Sequence, residues 1–189
     1  SIQQQIFVGD SESNLTVFSI SGEKIVSFNL GAGKIRALQI SDNRLFVGTE
    51  DGSVREFDVT TFNEVNRFPI HKTGVNKLLL LNKNELLSVG RDGYLINTDS
   101  LTGQQLFALP AHYQAIYGLE KVGKQLITCS MDKSIKIWDI DSWKVIQKLE
   151  AKSGGHKRSV NALCAFNERQ FISCSDDKEV FLWEEIREL

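Results

Sequence analysis

Short apolar runs separated by polar turn residues fill this chain from end to end, and aligned in register they fall into quartets. First segments lie at 35–38, 75–78, 116–119 and 160–163, and second segments at 45–47, 86–88, 126–128 and 171–173. Third segments lie at 54–57, 95–98, 135–138 and 180–183, and fourth segments at 64–68, 104–109 and 144–149. Most are rich in β-branched, aromatic or other apolar residues, and Gly, Asn, Asp or Ser marks the joins, as strands linked by tight turns require. No stretch of about 11 residues holds a 3.6 period, so the pattern predicts an all-β chain with almost no helix. Before the first quartet, segments at 6–9, 15–18 and 25–28 occupy the second to fourth phases, and the last unit stops after its third. Three complete units (34–74, 75–115 and 116–159) are therefore expected between two partial ones (1–33 and 160–189).

The repeat carries its own polar markers. Asp51, Asp92, Asp132 and Asp177 share one phase, 41, 40 and 45 residues apart. Six residues after each stands Phe57, Thr98, Trp138 or Trp183, and about 20 residues before the last three stands His71, His112 or His156. A period near 40 residues means one supersecondary unit stacked several times. Each repeated residue then has a structural explanation before it has a chemical one.

The quartets, the pair Gly155-His156 and the pair Trp138-Asp139 together resemble the WD-repeat β-propeller family, most specifically over residues 130–139. The resemblance implies four-stranded antiparallel blades, about five of them here, belonging to a seven-bladed ring whose other blades lie on a missing segment or another chain. It also implies that each aspartate holds the turn between second and third strands beside the histidine of the entering loop. A hydroxyl and an indole would extend that network, so that each buried polar group has a partner. The full set is His112, Thr128, Asp132, Trp138 and His156, Ser173, Asp177, Trp183. The Asp92 unit keeps His71 and Ser88 but has Thr98 in place of tryptophan. With Gly31, Val47 and Phe57, the Asp51 unit is expected to have lost the network, and the first unit carries Glu12 and Phe18 at the marker phases. The N-terminal side is expected to be the softer one.

Composition removes several functions. A net charge of −2 argues against nucleic acid or anionic lipid as partner, and no apolar run approaches the roughly 18 residues of a membrane span. No secretory leader opens the chain, and three cysteines are an odd number for a disulfide framework. Cys129 and Cys174 take a small-residue phase held elsewhere by Gly48 and Val89, and Cys164 lies on an apolar segment. All three read as packed thiols of a cytoplasmic or nuclear protein. The Ser or Thr, His and Asp trio recurs in three units, each time with a structural role, which argues against a catalytic triad. The histidines are too far apart for zinc, and Gly31-Ala32-Gly33 lacks a phosphate loop's ending. No cofactor is expected, and no enzyme.

Function is expected beside the frame. In the family, the entering loops and the aspartate turns share one face. On it, the free positions are the start of the first strand (Lys34 and Arg36, Gly74 and Asn76, Ala115 and Tyr117, Ser159 and Asn161) and the residue before each aspartate (Glu50, Arg91, Met131 and Asp176). Tyr117 and Met131 form an apolar, hot-spot-like pair. The long loop 151–158 adds Lys152, Lys157 and Arg158, which with Lys34, Arg36 and Arg91 would suit a phosphorylated or acidic peptide. The expected activity is a scaffold presenting or recruiting proteins in signalling or regulatory assemblies. The alternative is an acidic-motif reader, such as a ubiquitin-ligase substrate adaptor.

Overall fold

A computed structural model describes residues 5–184, so residues 1–4 and 185–189, which the two partial units were expected to include, lie outside the described residues. Two compact units divide the chain, residues 1–109 and residues 110–189. The first contains a three-stranded sheet of β1 (Gln5–Gly9), β2 (Asn14–Ser19) and β3 (Lys24–Asn29). It also contains a four-stranded sheet of β4 (Ile35–Ser41), β5 (Arg44–Thr49), β6 (Ser53–Asp58) and β7 (Glu64–Pro69). A third sheet joins β8 (Val75–Leu80), β9 (Glu85–Gly90), β10 (Tyr94–Asp99) and β11 (Gln105–Pro110), whose last residue passes into the second unit. In the second unit β12 (Ile116–Val122), β13 (Gln125–Ser130), β14 (Ile135–Asp139) and β15 (Val145–Leu149) form one sheet. The last sheet joins β16 (Val160–Ala165), β17 (Gln170–Ser175) and β18 (Val180–Glu184). Neighbouring strands are antiparallel and consecutive in sequence, and a single 3₁₀ turn (Ala151–Ser153) is the one helical element among the described residues.

Burial explains the strand pattern. In the three four-stranded sheets the second strands are covered on both faces, so they are apolar nearly throughout: Leu45, Phe46, Val47, Leu86, Leu87, Leu126 and Ile127 are all buried, whereas Ile6 and Val8 of β1 are exposed. In the first unit, Leu15, Ile35, Leu45, Val47 and Phe57 pack the first two sheets together, with Phe28 stacked on Phe57 at 5.7 Å. Ala37, Phe46, Val54, Val75 and Leu86 do the same for the next pair. In the second unit the core is Ile127, Cys129, Ile135, Val160, Leu163 and Phe171. Gly48 is confined to glycine by close packing of the next sheet: a Cβ there would meet the Val75 side chain at 2.8 Å.

A second aspartate phase closes the turns between third and fourth strands. Asp58, Asp99 and Asp139 each accept backbone and hydroxyl hydrogens from the turn that follows, from Thr61, Thr102 and Ser142 in turn. Those turns need a left-handed residue, supplied by Phe62, Gly103 and Trp143.

One expectation about the thiols is corrected. Cys129 is buried and its Sγ–H points to the Val160 carbonyl at 3.4 Å, but Cys174 is half-buried and Cys164 is exposed. Cys164 shares a sheet face with Ala162, beside Val180 (68% exposed) and Leu182 (59%), whereas the corresponding Ile135 and Ile137 of the preceding sheet are buried. An apolar strand position is covered only if another sheet lies against it.

Candidate partner-binding site

The polar frame is a directed chain of hydrogen bonds. In the Asp132 sheet, the His112 Nδ1–H donates to the carboxylate at 3.0 Å, because a carboxylate can only accept. His112 Nε2 then accepts from the Thr128 hydroxyl at 2.8 Å, and Thr128 Oγ1 accepts from the Trp138 indole N–H at 2.9 Å. Every polar atom of the relay is satisfied by a neutral imidazole. Asp177, His156, Ser173 and Trp183 repeat it at 3.0, 2.8 and 2.8 Å. In the Asp92 sheet, His71 bridges Asp92 and Ser88 at 3.0 and 2.9 Å, but no indole follows, and the Thr98 hydroxyl is buried without a partner. The aspartates also hold the chain. Asp132 accepts the backbone N–H groups of Tyr113 and Ser134, and Asp177 those of Lys157 and Glu179.

Electrostatics agree with that assignment. Burial pushes the Asp132 carboxyl up, but hydrogen bonds from His112 and Ser134 outweigh it and hold the group well below the usual carboxylate range. Burial pushes the His112 imidazole down, against the pull of Asp132.

The Asp51 sheet departs from expectation. Its histidine link is absent, yet Asp51 is not bare. It accepts from the Thr49 and Ser53 hydroxyls at 2.7 and 2.6 Å and from the Ser53 N–H at 2.9 Å. Arg67, on β7, supplies the donor that histidine would have supplied, at 2.8 Å. In the first sheet the acid moves two residues earlier than the Glu12 phase: Asp10 accepts from the N–H groups of Glu12 and Asn14, both at 2.8 Å. Only the bare spacing pointed to Glu12; the Asp10-x-x-x-Asn14 pair is the local signal that identifies the turn acid.

The partner candidates occupy a repeated backbone irregularity. Each first strand slips register at its second residue, between Ile35 and Ala37, Val75 and Lys77, Ile116 and Gly118, and Val160 and Ala162. The extra residues are Arg36, Asn76, Tyr117 and Asn161. A bulge leaves its residue out of the ladder and re-aims the side chain, so the frame delivers one variable side chain per sheet to the same place. In three sheets that residue meets the one preceding the aspartate. Arg36 donates to Glu50 at 2.9 Å, the Tyr117 hydroxyl approaches the Met131 sulfur at 3.7 Å, and Asn161 donates to Asp176.

Two candidate groups result. In the second unit, Tyr117, Met131, Ser159, Asn161 and Asp176 line one shallow cavity of about 310 Å³. Met131 is 47% exposed there, and Ser159 donates to Asn161 at 2.8 Å. In the first unit, Arg36 and Arg91 converge on Glu50, so neither is the unengaged cation expected from the sequence, and Asn76 is buried. The charge pattern favours that convergence, because Glu50 stands 14 residues after Arg36 as Met131 does after Tyr117. In the loop at 151–158, Lys152, its side chain 84% exposed, pairs with Glu150 at 2.6 Å, and Lys157 and Arg158 are exposed. Among the described residues, no three His, Cys, Asp or Glu side chains converge as a metal site, and no helix is long and apolar enough to cross a membrane.

Comparison with known proteins gives the same frame. The WD40 family profile (WD domain, G-beta repeat) matches residues 103–139 and 143–184. Lissencephaly-1 homolog 1 of Paramecium tetraurelia is 29% identical over 102 residues, 53% of this chain and 24% of that protein. Nuclear distribution protein nudF 1 of Talaromyces marneffei is 31% identical over 121 residues, 60% of this chain and 26% of that protein. The matched stretches thus span about a quarter of these relatives. Among solved structures, the computationally designed Ika8 protein superposes with a TM-score of 0.81 at 26% identity, over 96% of this chain and 56% of that one. A chain of the mitotic checkpoint complex gives 0.84 at 18% identity over 97% of this chain and 60% of that one, a likeness of fold alone. With two repeats matched directly and the remaining sheets built on the same strand plan, the chain resembles the WD-repeat β-propeller family.

Proposed function

We propose that this chain is a non-enzymatic scaffold that recruits partner proteins through the bulged strand starts and aspartate turns of its sheets. WD-repeat proteins bind other proteins, and the observation that carries the reading here is the cavity of the second unit. There a rigid hydrogen-bonded frame presents residues that do not repeat, with an exposed methionine and a tyrosine as anchors and Asn161 and Asp176 as polar rim.

The frame itself is unsuited to chemistry. Ser88, Thr128 and Ser173 have the hydrogen bonds of triad nucleophiles, but all three are 0% exposed. A substrate carbonyl could not reach them. Three cysteines, an odd number for a disulfide framework, support a cytoplasmic or nuclear setting, and the net charge of −2 supports proteins rather than nucleic acid as partners.

Quantitative co-purification from cells tests the proposal. The Met131→Asp and Tyr117→Ala variants are expected to lose the same subset of captured proteins. Lys144→Glu, at an exposed residue just before β15, is expected to retain them. Identical capture by all three variants would overturn it. A second reading, recognition of acidic motifs, is favoured by the three cations Lys34, Arg36 and Arg91 around one carboxylate.

A further inference from the structure

The first unit contains an anion cradle already filled by one of its own side chains. Glu50 Oε1 accepts from Arg36 Nη2 at 2.9 Å and from Arg91 Nη1 at 3.5 Å, and Oε2 accepts from the Lys34 backbone N–H at 3.3 Å. The two arginines come from different sheets, one from the β4 bulge and one from the turn after β9. Bare backbone makes room for them. A Cβ on Gly33, which sits at φ 70°, would lie 3.0 Å from the Glu50 carboxylate, and one on Gly74 would lie 3.2 Å from Arg91 Cδ. Two guanidinium groups on one carboxylate leave one positive charge uncompensated, and the Lys34 ammonium adds a second at longer range.

The resident carboxylate is loosely held and poorly matched. The side chains of Arg36, Glu50 and Arg91 are 30%, 33% and 51% exposed, and ion pairs that exposed are held weakly. Glu50 spends a single oxygen on both guanidinium groups. A phosphate monoester brings three acceptor oxygens and a charge of roughly −1.5 to −2, enough to give each guanidinium its own forked contact. An incoming Asp or Glu side chain has nothing to offer that Glu50 lacks, and Glu50 is tethered at an effective concentration of order millimolar.

We infer that Lys34, Arg36 and Arg91 form a phosphopeptide site in which Glu50 is an internal competitor that any ligand must displace. A singly charged acidic side chain then gains little by entering, while a phosphate, with its larger charge and extra oxygens, does. This rests on the reading of the chain as a protein-binding scaffold, and it adds the ligand class and the device that sets its affinity threshold.

Fluorescence anisotropy with degenerate peptides carrying a fixed central phosphoserine, serine or glutamate tests it. The chain is expected to bind the phosphoserine peptides at least about tenfold more tightly than the glutamate ones. Glu50→Gln should raise the affinity of both the phosphoserine and the glutamate peptides by about threefold or more, because both must displace the same side chain. Arg36→Ala should weaken phosphoserine binding about tenfold. Arg91→Lys, which keeps the charge and loses the fork, should weaken it by less. Equal binding of the three peptide sets, or affinities unchanged in Glu50→Gln, would overturn the inference. So would a single-stranded oligonucleotide that binds as tightly and is lost with Arg36→Ala. Met131→Asp separates the two readings, since a failed scaffold site in the second unit should leave phosphoserine binding intact.

Discussion

The sheet around Asp132 and the sheet around Asp51 share a backbone plan and hold their aspartate turns by different means. In the first, a threonine, a histidine and a tryptophan bury a continuous relay, and the carboxylate is its terminus. In the second, valine and phenylalanine fill the hydroxyl and indole phases, so the interior there needs no polar partner, and the aspartate turns to local hydroxyls and an arginine nearer the surface. Removing histidine, hydroxyl and indole together strands none of the three. The Asp92 sheet lacks only the indole: it keeps the His71–Asp92 and His71–Ser88 bonds, and the threonine in the indole's place buries a hydroxyl with no partner. Trimming the relay is therefore costly where the replacement brings a polar group of its own.

The sharpest way to break the comparison is Thr128→Val, which gives the Asp132 sheet the valine of the Asp51 sheet without its other changes. It strands both the Trp138 indole N–H and His112 Nε2, and urea unfolding should show a loss of about 3 kcal/mol. Next comes pH. His112 is pushed down by burial, so below about 6.5 the unfolded chain binds a proton that the folded sheet resists. Stability of the second unit should therefore fall from pH 7 to pH 5, and His112→Asn should flatten that slope. Asp132, held low, contributes stability that is present above about pH 4 and lost on further acidification.

Smaller effects sharpen the contrast. Thr98→Val removes the orphaned hydroxyl at nearly constant volume and should stabilise the first unit by about 1 kcal/mol, read from its urea midpoint. Arg67→Ala should cost at most about 0.5 kcal/mol, because the Asp51–Arg67 pair is 32% and 53% exposed on its two sides. A loss above 2 kcal/mol would mean that arginine replaces the buried relay in energy as well as in position.

Strand positions were legible because the second strands of the four-stranded sheets are buried on both faces and the turns favour Gly, Asn or Asp, which are local demands. The phase of the histidines and aspartates was legible for the same reason: each relay closes within one sheet and the loop entering it. The fate of the variable residues was not. Whether Arg36 and Arg91 are unengaged depends on Glu50 standing between two sheets. Whether Cys164 is covered depends on what lies against its face. Asp10 could replace Glu12 because a turn can be held from either of two neighbouring positions, and spacing alone does not choose between them.

Period and pattern by themselves determined a repeated four-stranded unit, its turns and its buried frame, since strand alternation and turn chemistry act over a few residues. Only the tertiary structure decided which variable side chains meet. Those contacts run between segments 14 to 41 residues apart, and they depend on the bulge that aims Arg36, Tyr117 and Asn161 and on the distance across which Glu50 reaches Arg91. Charge and hydrogen-bond complementarity at that range follow from packing geometry, which no local pattern encodes.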